Sequence, residues 1–371
     1  MANDYKNGFG RRKIEEDVFP DYANMKRHGN LTEKTASAEN IYKGWRESMK
    51  RKPKNRSRIR QMEEFKAHPE ESLSEIQEII LSGNWPISIK DYNLFHKWQC
   101  GKLRDICWNR IYKNNVIMHS MIQVDGKILE DTLIADTFSG IKGRGPTKGL
   151  KRMEQYLSEY SDDQPIFCLK WDFRHYYDSI KRRKLLHQIK RKIKDKKSLR
   201  MHEAGIMICP GKGLPKGNLT SGIYSNFYLS PLDHHIKEEL GFKHYARYCD
   251  DVVVLSSSKA DLVALLADVR EFIKPYGLEI KPNVQIFPIE RNGIDFMGYV
   301  FHRHETHLRK RIERSIRKAV RRYNENPNMK NYKSLAAYWG WVKHITRPMA
   351  FWNAVVGKPL KELLPKEDNV A

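Results

Sequence analysis

Long apolar runs are missing from this chain of 371 residues. The first residues have no apolar core of the kind found in secretion signals, and no run approaches the roughly 20 apolar residues needed to span a membrane. The five cysteines are odd in number and lack Cys-x-x-Cys spacing, which argues against a disulfide framework and a structural zinc site. We therefore expect a soluble protein of a reducing compartment, the cytoplasm, with no membrane partner.

Acidic residues are scarce relative to basic ones, with 45 Asp and Glu against 68 Lys and Arg and a formal net charge of +23. The excess lies in three stretches, 43–60, 181–200 and 309–322, whose net charges are +8, +10 and +7. The other residues together are close to neutral. A single basic run is usually a solvated helix face, but three of them favour a phosphate polymer as partner.

The acids that are present include an unusual group. Tyr248-Cys249-Asp250-Asp251 lies between two short β-forming runs, which predicts a hairpin with the acids at its tip. Asp172 ends another strand-like run that begins at Cys168. An Asp-Asp pair alone is most often a solvated turn. Carboxylates gathered on adjacent strand ends would instead need divalent cations, and their oxygens suit Mg²⁺, which also binds phosphates. Two such ions roughly 3.5–4 Å apart can support phosphoryl transfer.

The remaining pattern mixes helices and strands. Helical spacing is expected from Ile41 to Leu81 and again in 181–200, and a turn-rich loop is expected over Gly211–Asn218. A strand pair is expected at 278–280 and 293–299, and a separate helical lobe from Leu308 onward. This mixture predicts an α+β fold in which helices cover a sheet on one face.

Four motifs in this order resemble the reverse transcriptase family: residues 168–180, 213–226, 248–251 and 293–299. The resemblance implies a right-hand polymerase with an antiparallel palm sheet and an α-helical thumb. It also implies a basic N-terminal extension over 1–70, fingers and palm over 71–304, and a thumb over 305–371. The implied reaction is addition of dNTPs to a primer 3′-hydroxyl on an RNA template, yielding cDNA.

The resemblance also assigns roles to individual residues. Two Mg²⁺ ions, for which Mn²⁺ could substitute, would be held by Asp172, Asp250 and Asp251 with the backbone of Phe173. Tyr177 would exclude a ribose 2′-hydroxyl. The nucleotide-binding set it implies is Lys102, Arg104, Tyr177, Pro215, Lys216 and Gly217. The primer- and template-binding set is Tyr248, Gly293, Phe296, Gly298, Arg311, Arg314, Arg317 and Lys318.

Within the family, the motifs resemble the bacterial enzymes of diversity-generating retroelements and of antiviral defence systems. Three departures separate the chain from the diversity-generating pattern. Lys216 replaces a Gln or an apolar residue, Ser221-Gly222 replaces Ser-Gln, and Val284 stands where the family often has a lysine, for which Lys281 is the nearest replacement.

We therefore expect a defence-associated enzyme that copies a dedicated, structured noncoding RNA. Two alternatives stay open. One is a mutagenic reverse transcriptase of a diversity-generating retroelement, working with an accessory protein. The other, from a different class, is a non-catalytic RNA-binding scaffold that keeps the fold.

Overall fold

A computed structural model describes residues 26–50, 53, 55–99, 101–358 and 362 of the chain. Its strands are β1 Tyr92–Gln99, β2 Lys102–Asn109, β3 Phe167–Asp172, β4 Tyr245–Tyr248, β5 Asp251–Ser256, β6 Gln285–Pro288, β7 Ile294–Phe296, β8 Tyr299–Phe301 and β9 Thr306–Leu308. Its α-helices are α1 Thr32–Thr35, α2 Ala38–Met49, α3 Arg56–Ala67, α4 Pro69–Ser82, α5 Tyr112–Met121, α6 Lys127–Glu130, α7 Pro146–Ser158, α8 Tyr176–Ser179, α9 Arg182–Lys192, α10 Lys196–Met207, α11 Ser221–Tyr228, α12 Ser230–His234, α13 Lys259–Ile273, α14 Ile289–Asn292, α15 Lys310–Glu325, α16 Met329–Val342 and α17 Pro348–Val356.

The central sheet has four strands in the order β4-β5-β3-β6, and every neighbouring pair is antiparallel. Its strands are apolar on both sides. Leu169 and Val254 belong to a core shared with α9, α11 and α13, whereas Cys168 and Val253 belong to a second core with α7. The fold is therefore α+β as predicted, but both faces of the sheet are covered.

A second, three-stranded sheet, β7-β8-β9, joins the palm to the C-terminal helices. Its Tyr299 stacks at an angle against Trp341 of α16, with ring centroids 5.5 Å apart. Trp339 packs edge-on against Trp352 of α17 at 5.2 Å. The aromatic residues of the C-terminal segment thus form the core of the predicted helical lobe and tie it to this sheet.

The residues before the central sheet form the helices α2 to α5 and a long β1-β2 hairpin. The predicted helical stretch is divided into α2, α3 and α4, and particular residues of the sequence begin and end each helix. Ser37 and Asn55 cap the first turns of α2 and α3 through their side chains. Pro69 begins α4, and Gly83, with φ +66, ends it in the left-handed conformation.

The described part of the N-terminal segment packs into the molecule. Leu31 lies in the core beneath the palm sheet. Ile41, Met62 and Phe65 share a core with Ile76 of α4 and with α5. Packing therefore continues across the expected boundary at residue 70.

The strand expected at 278–280 is wrong. Ile280 forms only an isolated antiparallel bridge with Phe173, and the edge strand of the sheet is β6, further along the chain. Gly277, with φ +69, and Pro282 flank this segment and break regular pairing on both sides. Among the described residues, no helix is long and apolar enough to cross a membrane.

The turn between β7 and β8 depends on a glycine. Gly298 has φ +93, and a Cβ atom there would lie 2.6 Å from the Trp341 ring and 2.9 Å from Ile312 Cδ1. A left-handed residue other than glycine costs about 1–2 kcal/mol, and overpacking adds about 1–3 kcal/mol. We expect Gly298→Ala to lower the free energy of unfolding by about 2 kcal/mol or more, as measured by denaturant titration.

Gly340→Ala is the matched control, because Gly340 lies in α16 with open space around its Cβ position. It should raise the free energy of unfolding by up to about 1 kcal/mol. Equal effects of the two substitutions would contradict the contact between this turn and the thumb.

Candidate active site

The predicted acidic hairpin is present. β4 and β5 pair with Tyr248 opposite Asp251, so Cys249 and Asp250 form a two-residue turn between them. Cys249 has φ +59, a left-handed conformation that lets the chain reverse direction over so few residues. The turn therefore presents Asp250 and Asp251 together at the end of the sheet.

Asp172 meets this turn because of strand register. It is the last residue of β3, which pairs with β5 so that Asp172 lies directly opposite Asp251. The Asp250 carboxyl group is also close enough to that of Asp172 for the two to influence each other's charge. The three acids that the sequence placed in one site are thus neighbours in space.

Burial and mutual repulsion disfavour ionisation of this group. Burial raises the pKa of Asp250 well above its usual range, and the nearby Asp172 carboxylate adds to this by accepting from protonated Asp250 and by repelling its ionised form. Burial raises the pKa of Asp251 to about 6, although the Lys170 cation opposes that shift. Three ionised carboxylates would therefore be costly here without a compensating positive charge.

Two lysines supply part of that charge. Lys281 Nζ donates to Asp172 Oδ2, and the Lys281 backbone N–H donates to the Asp172 carbonyl oxygen at 2.9 Å. Lys170 Nζ lies 3.5 Å from Asp251 Oδ1. Asp172 and Asp251 therefore each have a lysine cation beside them.

The donor set suits hard divalent cations. Within the described residues, Asp172 Oδ1 and Asp251 Oδ1 are buried atoms without a hydrogen bond, and only the Lys170 cation, 3.5 Å from Asp251 Oδ1, lies beside one of them, so both oxygens could accept a divalent ion. In the part of the chain that the structure describes, no three His, Cys, Asp or Glu side chains converge as a ready-made ligand shell. A metal bound to Asp172 would have to compete with Lys281 for this carboxylate.

The turn-rich loop beside the acids is held by one arginine. Arg182 donates to four backbone carbonyl oxygens, those of Met207, Pro210, Gly211 and Gly213, at 2.6–3.3 Å. It lies in the basic stretch 181–200, which was expected to face a phosphate backbone. Its interactions are internal instead, and so are those of the buried Lys184, which donates to the Pro275 carbonyl oxygen at 3.0 Å.

Tyr177 lies between this loop and the acidic turn. Its carbonyl oxygen accepts from the Leu214 backbone N–H at 2.8 Å. Its hydroxyl accepts from Ser225 Oγ of α11 at 3.2 Å and lies 3.9 Å from Cys249 Sγ. Burial raises the pKa of the Tyr177 hydroxyl, which stays protonated. The ring is thus fixed next to the residue that precedes Asp250.

A family model described as reverse transcriptase (RNA-dependent DNA polymerase) matches residues 111–301, just over half of the chain. This chain belongs to the reverse transcriptase family. The description of this family model is that of an RNA-dependent DNA polymerase, and members of the family generally use divalent metal ions. A search of curated proteins found no match.

Solved telomerase structures are among those similar to this reverse transcriptase. A Candida albicans telomerase in complex with a telomeric RNA fragment is 10% identical with a TM-score of 0.45, covering 72% of this chain and 56% of that one. The corresponding Candida tropicalis complex is 13% identical with a TM-score of 0.46, covering 72% and 55%. The chain thus spans just over half the length of these proteins, and a likeness this distant carries no argument about its role.

Strand β2, which contains Arg104, lies next to the turn-rich loop. The Lys216 carbonyl oxygen accepts from the Cys107 backbone N–H of β2 at 2.7 Å. Ile106 of β2 faces Gly217, and Arg104 lies on that same face of the strand because side chains alternate. Arg104 is exposed, and the Lys102 side chain lies outside the described part of the structure.

Lys216, the departure noted in the sequence, is not a free cation. Its Nζ atom forms an ion pair with Asp178 at 2.7 Å, immediately after Tyr177 in the chain. Pro215 beside it is buried, whereas Gly217 is exposed with φ +111. The Lys216 charge is therefore largely neutralised where it borders the loop.

Lys170 connects the expected primer-gripping turn to the acids, since it contacts both. Lys170 Nζ donates to the Asp295 carbonyl oxygen of β7, next to Phe296, and the same lysine lies beside Asp251. Gly293, with φ +66, precedes β7. Tyr248 is half-buried at the end of β4. The residues expected to bind primer thus lie near the acid group.

The thumb residues expected to bind template lie along α15. Arg311, Arg314, Arg317 and Lys318 are exposed, and Arg317 also pairs with Glu313 at 2.8 Å. Phe173, which follows Asp172, has a fully buried side chain. The functional roles of all these residues remain predictions.

Sequence reasoning missed Arg182 as a scaffold of the loop and gave Lys281 only as a replacement for a missing lysine. The composition of a basic run does not indicate which of its side chains point into the protein and which point to solvent. Lys281 was detectable only from its position next to a strand-like segment.

Proposed function

We propose that Asp172, Asp250 and Asp251 bind two Mg²⁺ ions and that the chain copies a noncoding RNA into DNA. One observation carries this proposal: Asp172 lies opposite Asp251 in the sheet, next to the turn that carries Asp250. When bound, the ions would neutralise the phosphates and polarise the reacting oxygens. The Phe173 backbone next to Asp172 would complete this site.

The other residues would select and hold the nucleotide. Arg104 and Lys102 on the finger hairpin would contact the triphosphate, while Pro215, Lys216 and Gly217 form the wall of the pocket. The Tyr177 ring, fixed by Ser225 and close to the acidic turn, would occupy the space of a ribose 2′-hydroxyl. This arrangement favours deoxynucleotides by steric exclusion.

Replacing the acids tests the catalytic proposal against the scaffold alternative. We expect Asp250→Asn and Asp172→Asn each to reduce dNTP incorporation at least about 100-fold, because each removes a ligand of the charge-stabilising ions. RNA binding, measured by filter retention, should change by less than about twofold.

Asp162→Asn is the control, since this carboxylate is exposed on a surface turn away from the acids. It should leave both quantities unchanged. If the double variant Asp250→Ala/Asp251→Ala retained biological activity, the non-catalytic scaffold would be the better account.

Nucleotide selection is tested at Tyr177. We expect Tyr177→Ala to raise the efficiency of ribonucleotide incorporation relative to deoxynucleotide incorporation by at least about tenfold, because a buried ring leaves room for a hydroxyl when it is removed. The two efficiencies are measured as kcat/KM in single-nucleotide extension.

Tyr177→Phe keeps the ring and removes only the hydroxyl that contacts Ser225. It should retain the preference for deoxynucleotides. Relaxed selectivity in this control, or unchanged selectivity in the alanine variant, would contradict the steric role of the ring.

We propose that the thumb, from about residue 305, binds a structured RNA. A cavity of about 440 Å³ lies between α15 and α16, lined by Ser315, Lys318, Arg321, Arg322 and Tyr338. Its three cations and one aromatic ring suit a nucleotide with its phosphate. Fingers and palm would extend to about residue 304, and we place the described residues of 36–67 with the fingers because Ala36, Ile41, Met62 and Phe65 belong to their core.

The RNA partner is tested by copurification. We expect the wild-type protein to retain one predominant structured RNA, identified by sequencing. Lys318→Ala/Arg322→Ala should weaken RNA binding and flatten its dependence on salt, lowering the slope of log affinity against log salt by about 2 because two phosphate contacts are lost.

Lys259→Ala/Lys274→Ala removes two exposed cations from the region of α13 and serves as the control of equal charge. It should not change the slope. A random population of bound transcripts, or an equal effect of the two double variants, would contradict a dedicated RNA held by the thumb.

The biological role follows from the same departures in sequence. We propose antiviral defence, because Lys216, Gly222 and Val284 depart from the diversity-generating pattern. A diversity-generating role with an accessory protein is the second candidate. A neighbouring gene with a variable repeat would select the second.

A further inference from the structure

Arg247 is buried completely beneath the acidic turn. An arginine side chain has five N–H donors, and all five are used here. Nε and Nη2 donate to the two Asp233 carboxylate oxygens at 2.7 and 2.6 Å. The remaining donors reach Asn226, through its backbone and side-chain oxygens, and the Cys249 carbonyl oxygen.

Asp233 of α12 is equally buried and equally well bonded. Besides Arg247 it accepts from the Tyr245 hydroxyl at 2.5 Å and from Thr137 Oγ1 at 3.3 Å. Burying an ion pair has a large desolvation cost, so a pair of this kind is weak evidence of a contribution to stability. Its geometric effect, fixing several elements in one arrangement, is the more informative property.

The bond to the Cys249 carbonyl oxygen, at 2.8 Å, connects this network to the acids. Cys249 has φ +59, which is unfavourable for a residue other than glycine and persists only where its surroundings enforce it. The Cys249 carbonyl group belongs to the peptide unit that joins Cys249 to Asp250. An anchor on the Cys249 carbonyl therefore sets the direction from which the Asp250 side chain leaves the turn.

Two further contacts make the anchor rigid. The Arg247 backbone N–H donates to the Asp136 carbonyl oxygen at 2.9 Å, and the Arg247 carbonyl accepts from the Phe138 N–H at 2.9 Å. On its other side, Asn226 follows Ser225, which contacts Tyr177. The guanidinium thus joins the acidic turn to the helix that positions the candidate nucleotide-selecting ring.

We propose that Arg247 and Asp233 are positioning residues that hold the Cys249–Asp250 turn in its metal-binding conformation; this rests on the proposed function of Asp250. The pairing has a second consequence. Because Asp233 neutralises the guanidinium, the turn is held without a net positive charge that would repel cations from Asp250.

The test measures metal binding separately from folding in the full chain. We expect Arg247→Lys and Asp233→Asn each to weaken Mn²⁺ binding, followed by electron paramagnetic resonance, by at least fivefold. The Mg²⁺ concentration for half-maximal dNTP incorporation should rise by a similar factor. Thr137→Val removes only one hydrogen bond to Asp233 and should shift the Mn²⁺ affinity and the Mg²⁺ requirement in the same directions by about twofold. This milder variant tests the proposal if the stronger variants do not fold.

Asp125→Asn is the matched control. This carboxylate is also buried and hydrogen-bonded, but its partners, Ser198 and His202, are not part of the acidic turn. It should lower the melting temperature without altering the metal requirement. Folded variants with wild-type Mn²⁺ binding would overturn the positioning role. Unchanged Mn²⁺ binding in Asp250→Asn would instead refute the metal site itself, so the two failures are distinguishable.

Discussion

The antiparallel register between β3 and β5 determines where the acids of the site lie. It places Asp172 opposite Asp251, at the end where the β4-β5 turn brings Asp250 beside them. Because side chains alternate along a strand, a slip of one residue would turn every one of these groups to the opposite face. The apolar residues on both faces oppose such a slip, since Leu169 and Cys168 are buried in different cores.

Two separate arrangements act on the gathered carboxylates: one offsets their charge, and the other fixes the turn that carries Asp250. Close to the acids, Lys281 and Lys170 place cations against Asp172 and Asp251. Further from them, Arg247 holds the backbone of the turn while Asp233 neutralises its charge. The first arrangement can exchange with bound cations, whereas the second is buried and fixed. Exchangeable cations at the carboxylates and a fixed, neutral ion pair behind the turn are compatible with a site that binds and releases substrate.

Much of the fold and the positions of the acids could be predicted from the sequence, because both rest on local patterns. Apolar, β-forming runs beside Asp250 and at Cys168–Trp171 predicted the strands, and helical spacing up to Leu81 predicted the helix α4, which ends at Ser82. The direction in which each basic side chain points was harder to predict. Arg182 and Lys184 belong to a basic run yet bind backbone carbonyl groups, and only tertiary packing decides which cations turn inward. The Arg247–Asp233 pair spans α12 and β4, and no spacing rule connects an acid on a helix with an arginine on a strand.

Anomalous X-ray scattering from crystals soaked with Mn²⁺ and a non-hydrolysable dNTP tests the central claim most directly. The account predicts metal peaks within coordination distance of Asp172 and of the Asp250–Asp251 turn, with Lys281 Nζ displaced from the Asp172 carboxylate. Metal bound elsewhere, or Asp172 still paired with Lys281 while nucleotide occupies the pocket, would contradict it.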